Sequence, residues 1–500
     1  MNIGSEMQEI SSNNKRIAKN TLLLYFRMLV TMAVSLYTSR VVLNILGVED
    51  FGIYNVVGGI VAMFGFINGS MTSATQRYLT FELGQNNRAQ LTKVFSTSLS
   101  IHGIISFLII VLAETVGLWF LWNKMQIPAD RMNAAFWVFQ CSVAASVIMI
   151  MSVPYNAAII AHERMSAFAY ISIIEVSLKL LIVCFLRYFH TDKLILYAVL
   201  IVIVQFLIRL CYSWYCNRHF NETKYRWSWD KGLFKEMTGF ASWNMFGSLA
   251  AITFTQGLNL LLNMFFGPVV NAARGIAVQA QTAIGQFSSN FQTALNPQIT
   301  KSYATGDMEY MHGLIFRSAK FSFFLLLLLS LPVLIETKAI LTLWLKIVPD
   351  HTVVFLRIML CTTWVYAVSN PLITAASATG KIKLYQSVVG GLLLLILPIS
   401  YLCLRFGLPA YSVFIVHLVI EITAQFARLL MLKRMIKLSL REYFSKVVWC
   451  IFKVTAIALA VPLAVAYWQP GEGIWNLLTI FLICAISTSC LLYTSDAADD

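Results

Sequence analysis

Leu194-Ile-Leu-Tyr-Ala-Val-Leu-Ile-Val-Ile-Val-Gln-Phe-Leu-Ile208 carries no charge and a single amide, and it is bounded by Asp192 and Lys193 on one side and Arg209 on the other. With its flanks, such a segment is long enough to cross the roughly 30 Å hydrocarbon core of a bilayer as a helix. Outward from it, apolar runs of about twenty residues recur about fourteen times. They begin near Ala18, Phe51, Val94, Met132, Ser166, Leu194, Met237, Asn271, Leu314, Thr352, Leu384, Pro409, Lys446 and Ile474. Of the 500 residues, 58% are hydrophobic and only 12% charged, more apolar surface than a water-soluble domain can hide. The sequence predicts an all-α polytopic membrane protein.

Charge sets the expected orientation. With the N-terminus in the cytoplasm, one set of loops collects Lys15, Arg16, Lys19, Arg77, Arg88, Lys93, Arg164, Arg218, Lys224, Arg226, Lys231, Lys235, Lys301, Lys381, Lys383, Lys433, Arg434, Lys437 and Arg441. The opposite loops hold Lys124, Arg131, Lys193, Lys338 and Lys346. This positive-inside bias accounts for the net charge of +14 without a nucleic-acid partner. Met1 to Asn20 is polar and the apolar stretch after it lacks a small-residue cleavage site, so the first helix is expected to be retained. The nine cysteines show no metal-like or CxxC spacing and read as small apolar fillers. No Gly-rich phosphate loop, metal cluster or catalytic triad stands out, and neither cofactor nor metal is expected.

The two halves echo each other at an offset of about 220 residues, a period that suits a transporter lobe. Leu46-Gly47 matches Phe266-Gly267, Leu79-Thr80 with Gly84 matches Ile299-Thr300 with Gly306, and Pro154 matches Pro371. The expected organisation is a cytoplasmic segment 1–17, a six-helix lobe 18–216, a basic linker 217–236, a second six-helix lobe 237–432 and two additional helices in 446–489. Residues 490–500, Cys490-Leu-Leu-Tyr-Thr-Ser-Asp-Ala-Ala-Asp-Asp500, differ from the rest and read as a translated sequencing adapter, with the last helix cut short.

Polar residues inside apolar spans point to function, because each is costly against lipid. Asn20, Arg27, Thr31, Ser35 and Thr38 recur at helical spacing in the first span. One reading is a cavity wall with a buried cation; the other is an arginine that snorkels to headgroups beside packing hydroxyls. Arg40, near the outer end, fits snorkelling or substrate contact. The second span adds Asn55 on a stripe of small residues, the seventh Ser248, Thr255, Asn259 and Asn263. The eighth is the most polar, with Asn271, Arg274, Gln279, Gln281, Thr282, Gln286, Ser288, Ser289, Asn290 and Gln292, and must face protein or water. Glu175 and Lys179, four apart, read as a structural pair and a weak candidate for ion coupling. Glu421, mid-helix without an obvious local partner, is a second weak candidate. Glu114, Arg209, Glu336 and Arg428 read as interfacial anchors, His102 and His417 as packed residues.

Ser39-Arg40-Val-Val-Leu-Asn-Ile-Leu-Gly47-Val-Glu49-Asp50-Phe51-Gly52-Ile-Tyr54 resembles the first-to-second-helix signature of bacterial polysaccharide flippases. These belong to the multidrug/oligosaccharidyl-lipid/polysaccharide exporter superfamily. The resemblance implies a flippase that carries undecaprenyl-diphosphate-linked oligosaccharide across the inner membrane for O-antigen or capsule synthesis. Its partners would be that lipid-linked oligosaccharide, membrane lipid, and a polymerase and glycosyltransferases of the same pathway. A diphosphate calls for fixed cations, for which Arg27 and Arg274 are the candidates, and sugar hydroxyls for Asn, Gln, Ser and Thr walls. Gly247 stands in the seventh span at the place equivalent to Arg27, which sets the chain apart from strongly cationic lipid II flippases. The competing readings are a cation-coupled multidrug exporter of the same fold and a membrane oligosaccharide polymerase or ligase.

Overall fold

The computed structural model describes residues 3–62, 65–123, 125, 127–186, 188–189, 191–225, 230–345, 348–468 and 478–488. Among them all regular structure is helical. The chain divides into two compact units, 1–245 and 246–500.

The first unit contains α1 (Ile3–Ala62), α2 (Gly65–Gly84), α3 (Arg88–Leu112), α4 (Leu118–Asn123), α5 (Met132–Ala161), α6 (Met165–Leu186), α7 (Lys193–His219) and the start of α8 (Lys231–Phe266). Its core gathers Ile53, Val57, Ala113, Leu121, Val138, Phe139 and Ala198. Polar ties join the loops. Arg131 forms a fork to Asp50 and also donates to Asp192 at 2.7 Å, so the part of α1 just past its Gly47 break and the N-cap of α7 share one guanidinium. His162 meets Glu222 while stacking on Phe220. Burial is the largest influence on Glu222 and opposes its ionisation, but the His162 hydrogen bond, a backbone hydrogen bond and the charges of His162 and Arg88 together outweigh it and hold this loop carboxyl below the usual glutamate range.

The second unit contains the rest of α8, then α9 (Pro268–Thr305), α10 (Met308–Ile335), α11 (Thr337–Leu345), α12 (Thr352–Ala378), α13 (Lys383–Leu394), α14 (Ile396–Arg405), α15 (Ser412–Met435), α16 (Leu440–Tyr443), α17 (Trp449–Trp468) and α18 (Leu478–Thr488). Phe355, Phe414, Leu258, Leu262 and Leu360 form its main core. A second cluster sets Val454, Ala458, Ile480 and Cys484 against Phe323, Phe324 and Leu327, so α17 and α18 dock on α10.

Eleven helices among the described residues are long and apolar enough to cross a membrane. The remaining expected spans fall on the end of α1 with α2, on α9, and on the short α18. α9 is too polar to register by hydropathy, the apolar run from Phe51 is interrupted at residues 63–64, which lie outside the described residues, and so do the segment before α18 and residues 490–500. The lipid-type surface is evident elsewhere: Phe107, Trp119, Trp122, Leu181, Phe185 and Phe206 are all exposed.

The repeat is written into the backbone. Gly47 (φ 82°, ψ 171°) breaks α1 and Gly267 (φ 78°, ψ −172°) caps α9, the same conformation in each copy and one that only glycine adopts readily. After α2, Asn86 (φ 55°) takes the left-handed position that Gly306 (φ 80°) takes after α9. Gly84, aligned with Gly306 by sequence, is instead the last residue of α2; asparagine is among the few L-residues that tolerate this region. The next residues cap the following helices alike: Asn87 accepts from the Gln90 N–H at 3.2 Å, Asp307 from the Tyr310 N–H at 3.0 Å. Pro154 and Pro371 both lie inside long helices.

Candidate functional site

In α9, Ala272, Gly275, Gln279, Thr282, Gln286 and Ser289 are exposed and spaced by three or four residues, so they form one continuous face. That face has no large apolar side chain. The exposed face of α1, by contrast, carries Leu22, Phe26, Leu29 and Met32. A helix presenting amides and hydroxyls cannot be solvated by lipid tails, so α9 faces water or protein.

Arg274 sits near the start of α9 and is 6% exposed. It donates to Asn259 Oδ1 and, from its other terminal nitrogen, to the Thr255 carbonyl at 2.9 Å. Asn259 in turn donates to Gln256 at 3.1 Å. The guanidinium is therefore held by neutral dipoles on α8, and its Nε finds no hydrogen-bond partner among the described residues. No carboxylate forms an ion pair with it there. Its positive charge stays uncompensated at short range, which suits an anionic ligand. Asn263, one turn beyond Asn259, is exposed.

Deeper in this unit lies a cavity of about 370 Å³. Its walls come from α8, α9, α10, α12, α13 and α15, with Gln281, Gln286, Thr363, Tyr366, Asn370 and Glu421 among the lining residues. Gln281 donates to the Met359 carbonyl at 3.1 Å and to Thr363 Oγ1 at 2.8 Å, which fixes its amide across the gap between α9 and α12. At the floor, Arg428 donates to Glu421 at 2.8 Å, to Ser369 at 3.0 Å and to the Tyr385 hydroxyl at 3.3 Å. Ser369 continues to Gln425 at 2.6 Å, and Gln425 to Tyr443 at 3.3 Å.

Arg428 is therefore not an interfacial anchor, and Glu421 is not without a partner. The two are 2% and 4% exposed and stand seven residues apart, two helical turns on one face of α15. That seven-residue spacing is the sequence signal for the pair. Tyr385, Ser369 and Gln425 carried no such signal, because their roles depend on packing between α12, α13 and α15. His417 lines the cavity beside Phe254. His102 is fully buried, with Nδ1 2.7 Å from the Ser98 carbonyl.

In the first unit Arg27 is half-buried, its guanidinium 4.7 Å from the centre of the Phe168 ring. Thr31 donates back to the Met28 carbonyl at 3.0 Å, and Ser35 is exposed. Asn20 is buried and donates to the Glu163 carbonyl. The expected polar face of α1 is thus divided: its start packs inside the unit and its middle lies against an aromatic ring. Glu175 accepts from Lys179 at 2.6 Å and from Gln205 at 3.1 Å. The side chains of Arg40 and Asn55 lie outside the described residues.

These features describe an all-helical, multi-pass membrane chain with an internal repeat and with polar helices where lipid-facing ones would be apolar. The chain belongs to the family of polysaccharide biosynthesis proteins, whose profile matches residues 17–303. No curated protein sequence matches it significantly. Several solved structures share its fold. A MATE structure in the bent conformation superposes with a TM-score of 0.75 at 12% identity, covering 89% of this chain and 97% of that one. A Vibrio cholerae MATE transporter in its bent form gives 0.72 at 16%, covering 87% and 99%. A MOP superfamily transporter from Pyrococcus furiosus, described as having a binding pocket of reverse polarity, gives 0.71 at 13%, covering 85% and 96%.

Proposed function

We propose that this protein is an alternating-access flippase that moves undecaprenyl-diphosphate-linked oligosaccharide across the inner membrane for O-antigen or capsule synthesis. The observation that carries the reading is Arg274: a buried guanidinium on a polar membrane helix, held by neutral dipoles, in a chain of the polysaccharide biosynthesis family. A diphosphate supplies the missing negative charge, and the polyprenyl tail stays in lipid. Arg27, over its aromatic ring, is the second candidate cation. Transport of this kind needs no covalent chemistry on the cargo, only two conformations with different access. The N-terminus lies in the cytoplasm in this reading. The partners are the glycosyltransferases that build the cargo and the polymerase that receives it.

The test is movement of a fluorescent undecaprenyl-diphosphate oligosaccharide between leaflets of proteoliposomes. Losing one charge-assisted phosphate contact costs on the order of 1.5 to 3 kcal/mol, or about ten- to more than a hundredfold in affinity. Arg274→Ala and Arg27→Ala should each show a loss of that size, with lysine at either position retaining part of the activity because it lacks the planar fork. Wild-type rates in both alanine variants, at equal protein incorporation, would remove the diphosphate assignment. No movement by the wild-type chain, together with normal surface glycan in deleted cells that hold no second flippase, would remove the function itself.

A further inference from the structure

Three classes of polar ligand could fill the cavity of the second unit: an anion, a cation or an uncharged polyol. The charges on its walls discriminate among them. Arg428 is engaged by Glu421 at 2.8 Å and shared with Ser369 and Tyr385, so it offers no net positive charge to a phosphate. Glu421 is neutralised by the same contact and is the only carboxylate on the wall among the described residues, so it offers little to a cation. No cluster of metal-binding side chains occurs among the described residues. What remains is a set of donors and acceptors, the amides of Gln281, Gln286 and Asn370, the Thr363 hydroxyl and the His417 imidazole, set in a wall that is otherwise mostly apolar and includes the aromatic faces of Tyr366 and Phe254. Hydroxyl-rich rings need this combination, because each equatorial hydroxyl asks for a donor or acceptor while the C–H face of the ring packs on an aromatic surface.

We infer that this cavity is a saccharide pocket that holds uncharged sugar of the glycan, while the diphosphate is met by Arg274, which lies in the same unit but not on the cavity wall. The inference rests on the flippase reading for the origin of the sugar, and on the wall chemistry alone for its class. At about 370 Å³ the cavity lies at the small end of the roughly 300 to 1,000 Å³ that ligand pockets occupy, which fits a sugar ring or a pair of them. Selection is built in. The buried Glu421–Arg428 pair holds the floor, and Gln281, fixed by Met359 and Thr363, keeps its carbonyl oxygen available to accept from a sugar hydroxyl.

Gly285 makes the test clean. It lines the cavity in the interior of α9, and a Cβ added there would sit 3.7 Å from Thr363 Cγ2, an ordinary contact. Gly285→Leu therefore fills the cavity from a helix position where leucine is a better helix former than glycine. Gln281→Met, which keeps the volume and removes the amide, is the second variant. Binding to the purified full chain in nanodiscs is followed by saturation-transfer NMR with neutral methyl glycosides, among them the glucoside, galactoside and N-acetylglucosaminide, and by calorimetry with inorganic pyrophosphate. At least one glycoside should bind the wild type and weaken tenfold or more in both variants, with pyrophosphate unchanged; Arg274→Ala should show the reverse pattern. Glycoside binding equal in wild type and both folded variants overturns the pocket. So does pyrophosphate binding with no glycoside binding at all, an outcome that leaves the flippase reading standing. If glycosides bind and respond to Gly285→Leu while pyrophosphate and lipid-linked glycan do not engage the protein, the pocket stands and the flippase reading falls.

Discussion

Arg428 and Glu421 show why a charge can survive inside a membrane helix. Each alone would cost several kcal/mol of desolvation, and each is offset by the other together with neutral hydrogen-bond partners. Truncating one member should therefore hurt more than removing both. Arg428→Ala leaves a buried carboxylate and is expected to destabilise by about 3 to 5 kcal/mol, whereas the double replacement Arg428→Met with Glu421→Leu should recover most of that loss. Thermal unfolding in one detergent, followed by circular dichroism, measures both. Equal losses in the single and double variants would mean the pair contributes through packing instead. The arithmetic differs at Arg274, where no acid is paired among the described residues, and its expected signature is a change in ligand affinity rather than in stability.

At the scale of single elements, the breaks between helices matter as much as the helices. Gly47 and Gly267 hold the same extended, positive-φ conformation, and a Cβ at either would meet nothing within 4 Å. The cost of a side chain there is purely conformational, on the order of 1 to 3 kcal/mol for a backbone region that is nearly glycine-only. Gly47→Ala and Gly267→Ala should each lower thermal stability. Gly103→Ala, inside α3 with equally open surroundings, should be neutral or gain up to about 1 kcal/mol from helix propensity. A loss at Gly103 as large as at Gly47 would show that the breaks are not special. α9 illustrates the other side of element-level reading: its polar face disqualifies it by hydropathy, yet its length of 38 residues and its glycine cap mark it as a full partner in the repeat.

For the whole molecule, the basic residues of alternate loops set the proposed orientation, and two exposed helix ends test it. Lys231 opens α8 and Asp130 lies just before α5. In a variant with its nine cysteines replaced, Asp130→Cys should react with an impermeant maleimide in intact cells. Lys231→Cys should react only after permeabilisation. The opposite pattern would invert the protein and place the basic loops outside. Orientation also decides which leaflet supplies the cargo, so the same labelling bears on the direction of transport.

Much of this protein was legible in its sequence, for reasons that do not depend on tertiary contacts. Apolar run length sets bilayer crossing, as Leu194 to Ile208 shows. The repeat shows as matched residues because a break in the chain needs a particular residue, Gly47 with Gly267 at the nearly glycine-only backbone, whereas the shared caps Asn87 and Asp307 came to light only in the structure. The polarity of α9 announced itself because lipid tolerates no such face. Side-chain partnership was not legible, since it depends on how helices rotate against one another. Spacing alone could place Arg428 and Glu421 on one face of α15, but only the packing of α12 and α13 against it brought Ser369 and Tyr385 to the guanidinium. The same packing left a cavity between α9, α12 and α15. Sequence determines which residues are too polar for lipid; tertiary structure decides which are consumed by one another and which remain for a ligand, because a hydrogen bond is a matter of a few tenths of an ångström that no linear pattern encodes.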